Sequence, residues 1–188
     1  LRPDDMQQLA QRVQEMGGNF LEAPVSGSKG PAAQGALIFM AAGSRDVFDA
    51  ATKELEAMGK ASVFCSEQVG KASEMKLVVN MVMGAQLAAL AEGIALADQL
   101  GLDSAALQGV LDGGAMASPL VKLKGPLMAS RGVEAPDGSH GYPPAFPLKY
   151  ALKDMRFALG LKGWLPMNVS SAAAEEYAKG HSLGHGDD

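Results

Sequence analysis

One cysteine, Cys65, stands in 188 residues, so no disulfide can close within the chain. This excludes a small secreted domain stapled by disulfides, and the chain reads as intracellular. Aromatic residues are scarce at 5%, so the core must come from Ala, Val, Leu and the 11 methionines packed closely around helices. Positive charge is in deficit: 16 Lys and Arg against 21 Asp and Glu leave a net charge of −5. Without a basic field, nucleic acid and acidic lipid drop out as expected partners. No basic and apolar leader opens the chain, which starts at Leu1. Asp4 to Gly17 already reads as the interior of a fold, so loss of an N-terminal part is expected. The cytoplasm is the expected compartment, with an organelle as the alternative because a targeting segment would precede Leu1.

Lys and Arg are also missing from Leu77 to Leu100, which is mostly apolar. The stretch nevertheless holds Asn80, Gln86, Glu92 and Asp98. Two carboxylates in one span are costly in hydrocarbon, so a long buried helix is expected and a membrane span is not. Three motifs are absent from the sequence: G-x-G-x-x-G, G-x-x-x-x-G-K-[ST] and G-x-S-x-G. Their absence removes a dinucleotide turn, a P-loop and a serine nucleophile elbow from this stretch.

What is present alternates in period. Met6, Leu9, Val13 and Met16 recur at helical spacing, and Gly17-Gly18 closes that helix. Asn19 to Val25 and Ala36 to Ala41 read as strands. Ser44 can cap a helix from about Arg45 to Met58, and Ala61 to Cys65 is a third strand. After Gly70 the strand signal vanishes. One helix runs from Lys71 to about Leu100, roughly 45 Å at 1.5 Å per residue. Asp103 caps a helix to about Leu111. Ser118 to Arg131 is punctuated by Pro119, Gly125 and Pro126, and Gly132 to His140 is a polar loop. Helices are predicted from Leu148 to Leu161 and from Pro166 to about Lys179, with Gly180 as the stop and a frayed tail beyond His181. The expected division is 1–67, an α/β remnant of a Rossmann-type domain, and 68–188, an all-α domain built on the long helix.

Three segments carry candidate chemistry. In Ala23 to Gly30, Ser26 offers a hydroxyl and Gly27 lets backbone N–H groups turn outward. Such a turn can cradle a carboxylate or phosphate, or be a plain glycine-rich turn. Lys76 and Asn80 lie four apart on the long helix and share a face with Met83 and Leu87. A lysine on an apolar face should lose pKa and suit proton transfer beside an orienting amide. The alternative is a snorkelling lysine with a satisfied core amide. Lys149, Lys153 and Arg156 recur at helical spacing, with Asp154 adjacent and Phe146 just ahead. This is an anion-binding stripe or a solvated face. His181 and His185, four apart in a glycine-rich tail, make no convincing metal pair, and no metal is expected.

FLEAPVSGSKGPA (20–32), GKASEMKLVVNMVMG (70–84) and YPPAFPLKYALKDMRFAL (142–159), in this order, resemble the β-hydroxyacid dehydrogenase family. The branch most resembled is the plant-type glyoxylate/succinic semialdehyde reductases, related to 3-hydroxyisobutyrate dehydrogenase. The resemblance implies a Rossmann-type NADP-binding domain, a long inter-domain helix and a helical C-terminal domain. It implies NADP as cofactor, with NAD as the alternative, and a small aldehyde acid or hydroxy acid as substrate. Apart from the resemblance, the apolar long helix suggests a homo-oligomer, a dimer or tetramer. Lys76 then matches the catalytic lysine, Ser26 and Gly27 the loop holding the substrate carboxylate, and Asn80 an amide contacting the reacting substrate. Lys153 matches a cofactor contact, and Phe146 and Asp154 match pocket residues. The family's nucleotide turn would lie before Leu1, so these residues alone are expected to bind NADPH poorly. A catalytically inactive fragment or dimerisation module of the same fold is the competing expectation.

Overall fold

The computed structural model describes residues 2–130, 146–161 and 163–187. The predicted polar loop at 132–140, and the part of the third motif before Phe146, lie outside them. The described residues fall into two compact units, Leu1–Asn80 with Gly160–Gly163, and Met81–Leu159 with Trp164–Asp188.

The first unit opens with α1 (Pro3–Glu15), whose proline occupies the first turn, where its missing N–H costs nothing. Two short strands follow, β1 (Leu21–Glu22) and β2 (Val25–Ser26), then the single-turn α2 (Lys29–Ala33) and β3 (Leu37–Gly43). Next come α3 (Arg45–Ala50), α4 (Thr52–Met58) and β4 (Gly59–Ser66). Four strands make one mixed sheet: β1 and β2 run antiparallel to β3, and β4 runs parallel to it. The predicted single strand at 19–25 is interrupted at Pro24, which has no N–H to give the ladder. Its register is nevertheless unbroken, since Glu22 faces Ala42 and Ser26 faces Ile38 with the same offset. The predicted helix at 45–58 is divided at Ala51, although Ser44 caps it as expected, accepting from the Val47 N–H at 3.4 Å.

Strand periodicity gives this sheet two distinct faces. Phe39 and Ala41, with Leu21, Ala23 and Val25, pack against Phe48 and Leu55 of α3 and α4. The even residues Met40 and Ala42 pack on the other side against Ala72, in the first turn of α5 (Lys71–Gln99). Glu22 and Ser26 pair with even-numbered β3 residues and therefore share that second face.

The second unit holds residues 81–99 of α5 together with α6 (Ser104–Gly113), α7 (Pro119–Ala129), α8 (Leu148–Gly160) and α9 (Asn168–Ser182). Asp103 caps α6 as predicted, accepting from the Ala105 N–H at 3.1 Å. The stretch read as punctuated is in fact α7. Pro119 sits in its first turn, Ser118 caps it, and Pro126 is carried inside the helix. Leu152 and Met155 of α8, and Ala173, Ala174 and Tyr177 of α9, form the core, with Ala85 and Ala88 of α5 packed on it. The α9 helix continues through Gly180, the predicted stop. The tail beyond it is tied rather than frayed: the Lys149 N–H donates to the Gly186 carbonyl at 2.9 Å, and the Lys149 ammonium pairs with Asp187.

By length and composition α5 could cross a bilayer, and the long buried helix expected from the sequence is largely unburied: only 17% of its most apolar stretch is buried among the described residues. Lys76, Asn80, Glu92 and Asp98 along it are groups that hydrocarbon would penalise.

The Tyr177 hydroxyl donates to the Gly84 carbonyl at 3.2 Å, in a spot so enclosed that a Cβ on Gly84 would lie 2.8 Å from Met155 Sδ. Burial pushes the Tyr177 phenol up to about 12 from its ordinary value near 10. The unfolded chain would release this proton near pH 10 and the folded chain only near 12, so stability falls as pH rises across that window. Tyr177→Phe should cost about 1 kcal/mol at neutral pH through the lost hydrogen bond, and should flatten the alkaline decline. Urea unfolding of both proteins at neutral pH and through the alkaline window measures the two effects.

Candidate functional site

Ser26, Gly27, Lys76 and Asn80 belong to the first unit, and Phe146, Lys153 and Asp154 to the second. In the first unit the sheet decides which residues share a side. Ser26 is half-buried at the end of β2, on the face that packs against the start of α5. Gly27 follows with φ +134°, a conformation L side chains rarely adopt, and a Cβ there would lie 2.8 Å from Leu37 Cδ2. The chain then enters α2, whose first-turn N–H groups at Lys29 and Gly30 have no acceptor within the helix. A half-buried hydroxyl beside outward backbone donors is suited to a carboxylate.

Along α5, Ala72, Ser73 and Leu77 are buried, and Lys76 and Asn80 are half-buried between and beyond them. These five recur at helical spacing and form one stripe facing into the protein. Met75, Val78, Val79 and Val82 point outward and are 39–48% exposed. The polarity of this part of the helix is therefore inverted, with lysine and asparagine inward and valine and methionine outward. Packing does not ask for that arrangement, but an inward ammonium with an amide one turn away can protonate and orient a carbonyl.

The start of α5 is fixed by a residue that sequence reasoning missed. Glu22 is only 2% exposed. Its Oε2 accepts from the Gly70 N–H at 2.7 Å and its Oε1 from the Ser73 N–H at 2.8 Å. These donors are those of the residue before the helix and of its third residue, the pair that a capping box satisfies. Gly70 has no side chain and φ +101°, so the strand supplies the cap. The available signal was a lone carboxylate inside an otherwise apolar strand, which cannot stay buried without strong donors.

In the second unit Lys153 Nζ lies 3.1 Å from Asp154 Oδ1 and 5.9 Å from the Tyr150 and Phe157 ring centroids. Asp154 is the more buried of the pair, with 15% of its side chain exposed. Phe146 stacks obliquely on Tyr150, with centroids 6.1 Å apart. The predicted cationic stripe is thus partly neutralised, Lys149 by Asp187 and Lys153 by Asp154. A cavity of about 350 Å³ between α5, α6 and α7 is lined by Leu90, Ile94, Leu107 and Leu111, and by none of the predicted site residues. Burial pushes the Cys65 thiol up, which disfavours a thiolate nucleophile.

Two family models match the chain: the NAD binding domain of 6-phosphogluconate dehydrogenase over residues 1–70, and NAD-binding of NADP-dependent 3-hydroxyisobutyrate dehydrogenase over residues 70–188. Glyoxylate/succinic semialdehyde reductase 1 of Arabidopsis thaliana is 46% identical over 173 residues, covering 91% of this chain and 56% of that protein. The chloroplastic reductase 2 of the same plant is 42% identical over 182 residues, covering 96% and 48%. The chain thus spans about half the length of these relatives. The 3-hydroxyisobutyrate dehydrogenase of Salmonella typhimurium superposes with a TM-score of 0.86 at 26% identity, over 99% of this chain and 63% of that one.

Two glycines of the Ser26 turn should respond oppositely to alanine. Gly27→Ala meets both the positive φ and Leu37, and should destabilise by about 1–3 kcal/mol. A Cβ on Gly30 meets nothing within 4 Å, and its helical position should make Gly30→Ala neutral or stabilising by up to about 1 kcal/mol. Chemical denaturation of the two variants checks the contrast.

Proposed function

This chain belongs to the family of NADP-dependent 3-hydroxyisobutyrate dehydrogenases, and on that premise we propose that the protein reduces small aldehyde acids, such as glyoxylate or succinic semialdehyde, to hydroxy acids with NADPH. The observation that carries this reading is the inverted polarity of α5. It turns Lys76 and Asn80 inward from a helix whose first turn packs on the same sheet face as Ser26.

The residues present fit one edge of the cofactor. Lys153 offers an ammonium suited to a phosphate, while the glycine-rich pyrophosphate turn does not occur in this sequence. Bound NADPH supplies the hydride. The remaining work falls to the protein. Ser26 Oγ and the backbone donors around Gly27 hold the substrate's carboxylate and so fix the distance from anchor to aldehyde. The Lys76 ammonium stabilises negative charge growing on the carbonyl oxygen and delivers its proton there. The Asn80 side-chain amide donates to the same oxygen or to the product hydroxyl. The roles proposed for Phe146 and Asp154, as pocket residues, rest on their place in the matching segment.

The outward Met75, Val78, Val79 and Val82 of α5 further support a homo-oligomer, since a contiguous apolar face is seldom left to water. Light scattering of the full-length protein should give a dimer or larger, and a monomer at micromolar concentration rejects the association.

Lys76→Ala in the full-length protein should lower the rate of NADPH oxidation by about 10²–10⁴-fold and leave NADPH affinity within about twofold. Stopped-flow absorbance and equilibrium fluorescence titration read the two quantities. An unaltered hydride-transfer rate removes Lys76 from the reaction. A wild-type protein that oxidises no NADPH with either aldehyde acid turns the reading toward a non-catalytic module.

A further inference from the structure

Glu22 is buried, charged and absent from the chemistry derived above, yet its carboxylate joins the two elements that carry that chemistry. It lies on the strand leading to Ser26 and Gly27, four residues before Ser26 and on the same sheet face. It grips the Gly70 and Ser73 amides, and Lys76 follows Ser73 by three residues on the same helical stripe. Four strand residues span about 13 Å and three helical residues about 4.5 Å. The path from the serine–glycine turn to the lysine thus runs through two short segments, an extended one that keeps its register across Pro24 and a helical one, and one carboxylate.

We propose that Glu22 is a positioning residue that sets the separation between the carboxylate anchor at Ser26–Gly27 and the proton donor Lys76, and thereby the enzyme's preference for aldehydes bearing a distal carboxylate. The inference rests on the reading of the site given above. Two features separate it from simple helix capping. A capping serine or aspartate at position 70 would satisfy the helix locally, yet that position is a glycine with φ +101°, close against Pro3 and Gln7. The cap comes instead from 48 residues earlier in the chain, which ties the helix start to one strand and no other. Both carboxylate oxygens are engaged, on donors three residues apart, so the helix cannot rotate about its axis or slide without losing one bond.

The consequence is a substrate-dependent defect. Succinic semialdehyde uses both the anchor and the lysine. Butanal, of the same chain length but lacking the carboxylate, uses only the lysine. If Glu22 holds the two in register, Glu22→Gln, which keeps the reach but removes the charge and one acceptor, should lower kcat/KM for succinic semialdehyde by at least about tenfold more than for butanal. Glu22→Asp, which keeps the charge but not the reach to both amides, should show the same bias. Amide exchange at Gly70 and Ser73 should accelerate in both variants.

The experiment is a comparison of kcat and KM for the two aldehydes in full-length wild type, Glu22→Gln and Glu22→Asp, with hydrogen exchange of all three proteins. Selective loss on succinic semialdehyde with faster exchange at Gly70 and Ser73 supports the positioning role. Equal losses on both aldehydes, no loss on either, or failure of both variants to fold would make Glu22 a stability residue only and overturn it. If wild type reduces neither aldehyde, the reductase reading fails on its own. The clamp is then judged on the exchange of those two amides, and unchanged protection in Glu22→Gln overturns it.

Discussion

A single carboxylate on two backbone amides joins the sheet of the first unit to the start of α5. Glu22 would be costly to bury without donors of matching strength. The Gly70 and Ser73 N–H groups meet it at the positive end of a 29-residue helix, where backbone donors lack partners and negative charge is favoured. Each side supplies what the other lacks. Once that contact forms, Ala72 is set against Met40 and Ala42, and the inward stripe of α5 is fixed relative to the sheet.

The inverted polarity of α5 follows as a local departure from the usual rule. A helix free to choose would bury Val78, Val79 and Val82 and expose Lys76 and Asn80. Anchoring at Gly70 and Ser73 forbids that rotation. Along about two turns an amine and an amide face inward while apolar side chains stay exposed, the kind of conflict between levels of organisation that concentrates at functional sites.

Much of this was legible in the residues. The long helix, the caps at Ser44 and Asp103 and the mixed α/β order follow from periodicity and local hydrogen-bond chemistry. Lys76, Asn80 and Ser26 were readable as candidates because polar groups on apolar elements are few. Other features depend on tertiary partners. Pro126 sits inside α7, where local propensity would place a break. The C-terminal tail is held by Lys149, nearly 40 residues away in sequence. For Glu22, a lone carboxylate in an apolar strand signals a need for strong donors but does not say where they are. Its partners lie 48 and 51 residues on, and no period or spacing marks them.

The unbroken register across Pro24 has a consequence for how this segment can vary. Side chains on a strand change sides with every residue, so one insertion or deletion between Glu22 and Ser26 would send the serine to the Phe48 side while the glutamate stayed on its own. Three intervening positions, Ala23 to Val25, thus act as a ruler whose length matters more than its lettering. Change of identity at Ala23 and Val25 is limited by the fit against Phe39 and Ala41, whereas change of count carries an odd–even penalty.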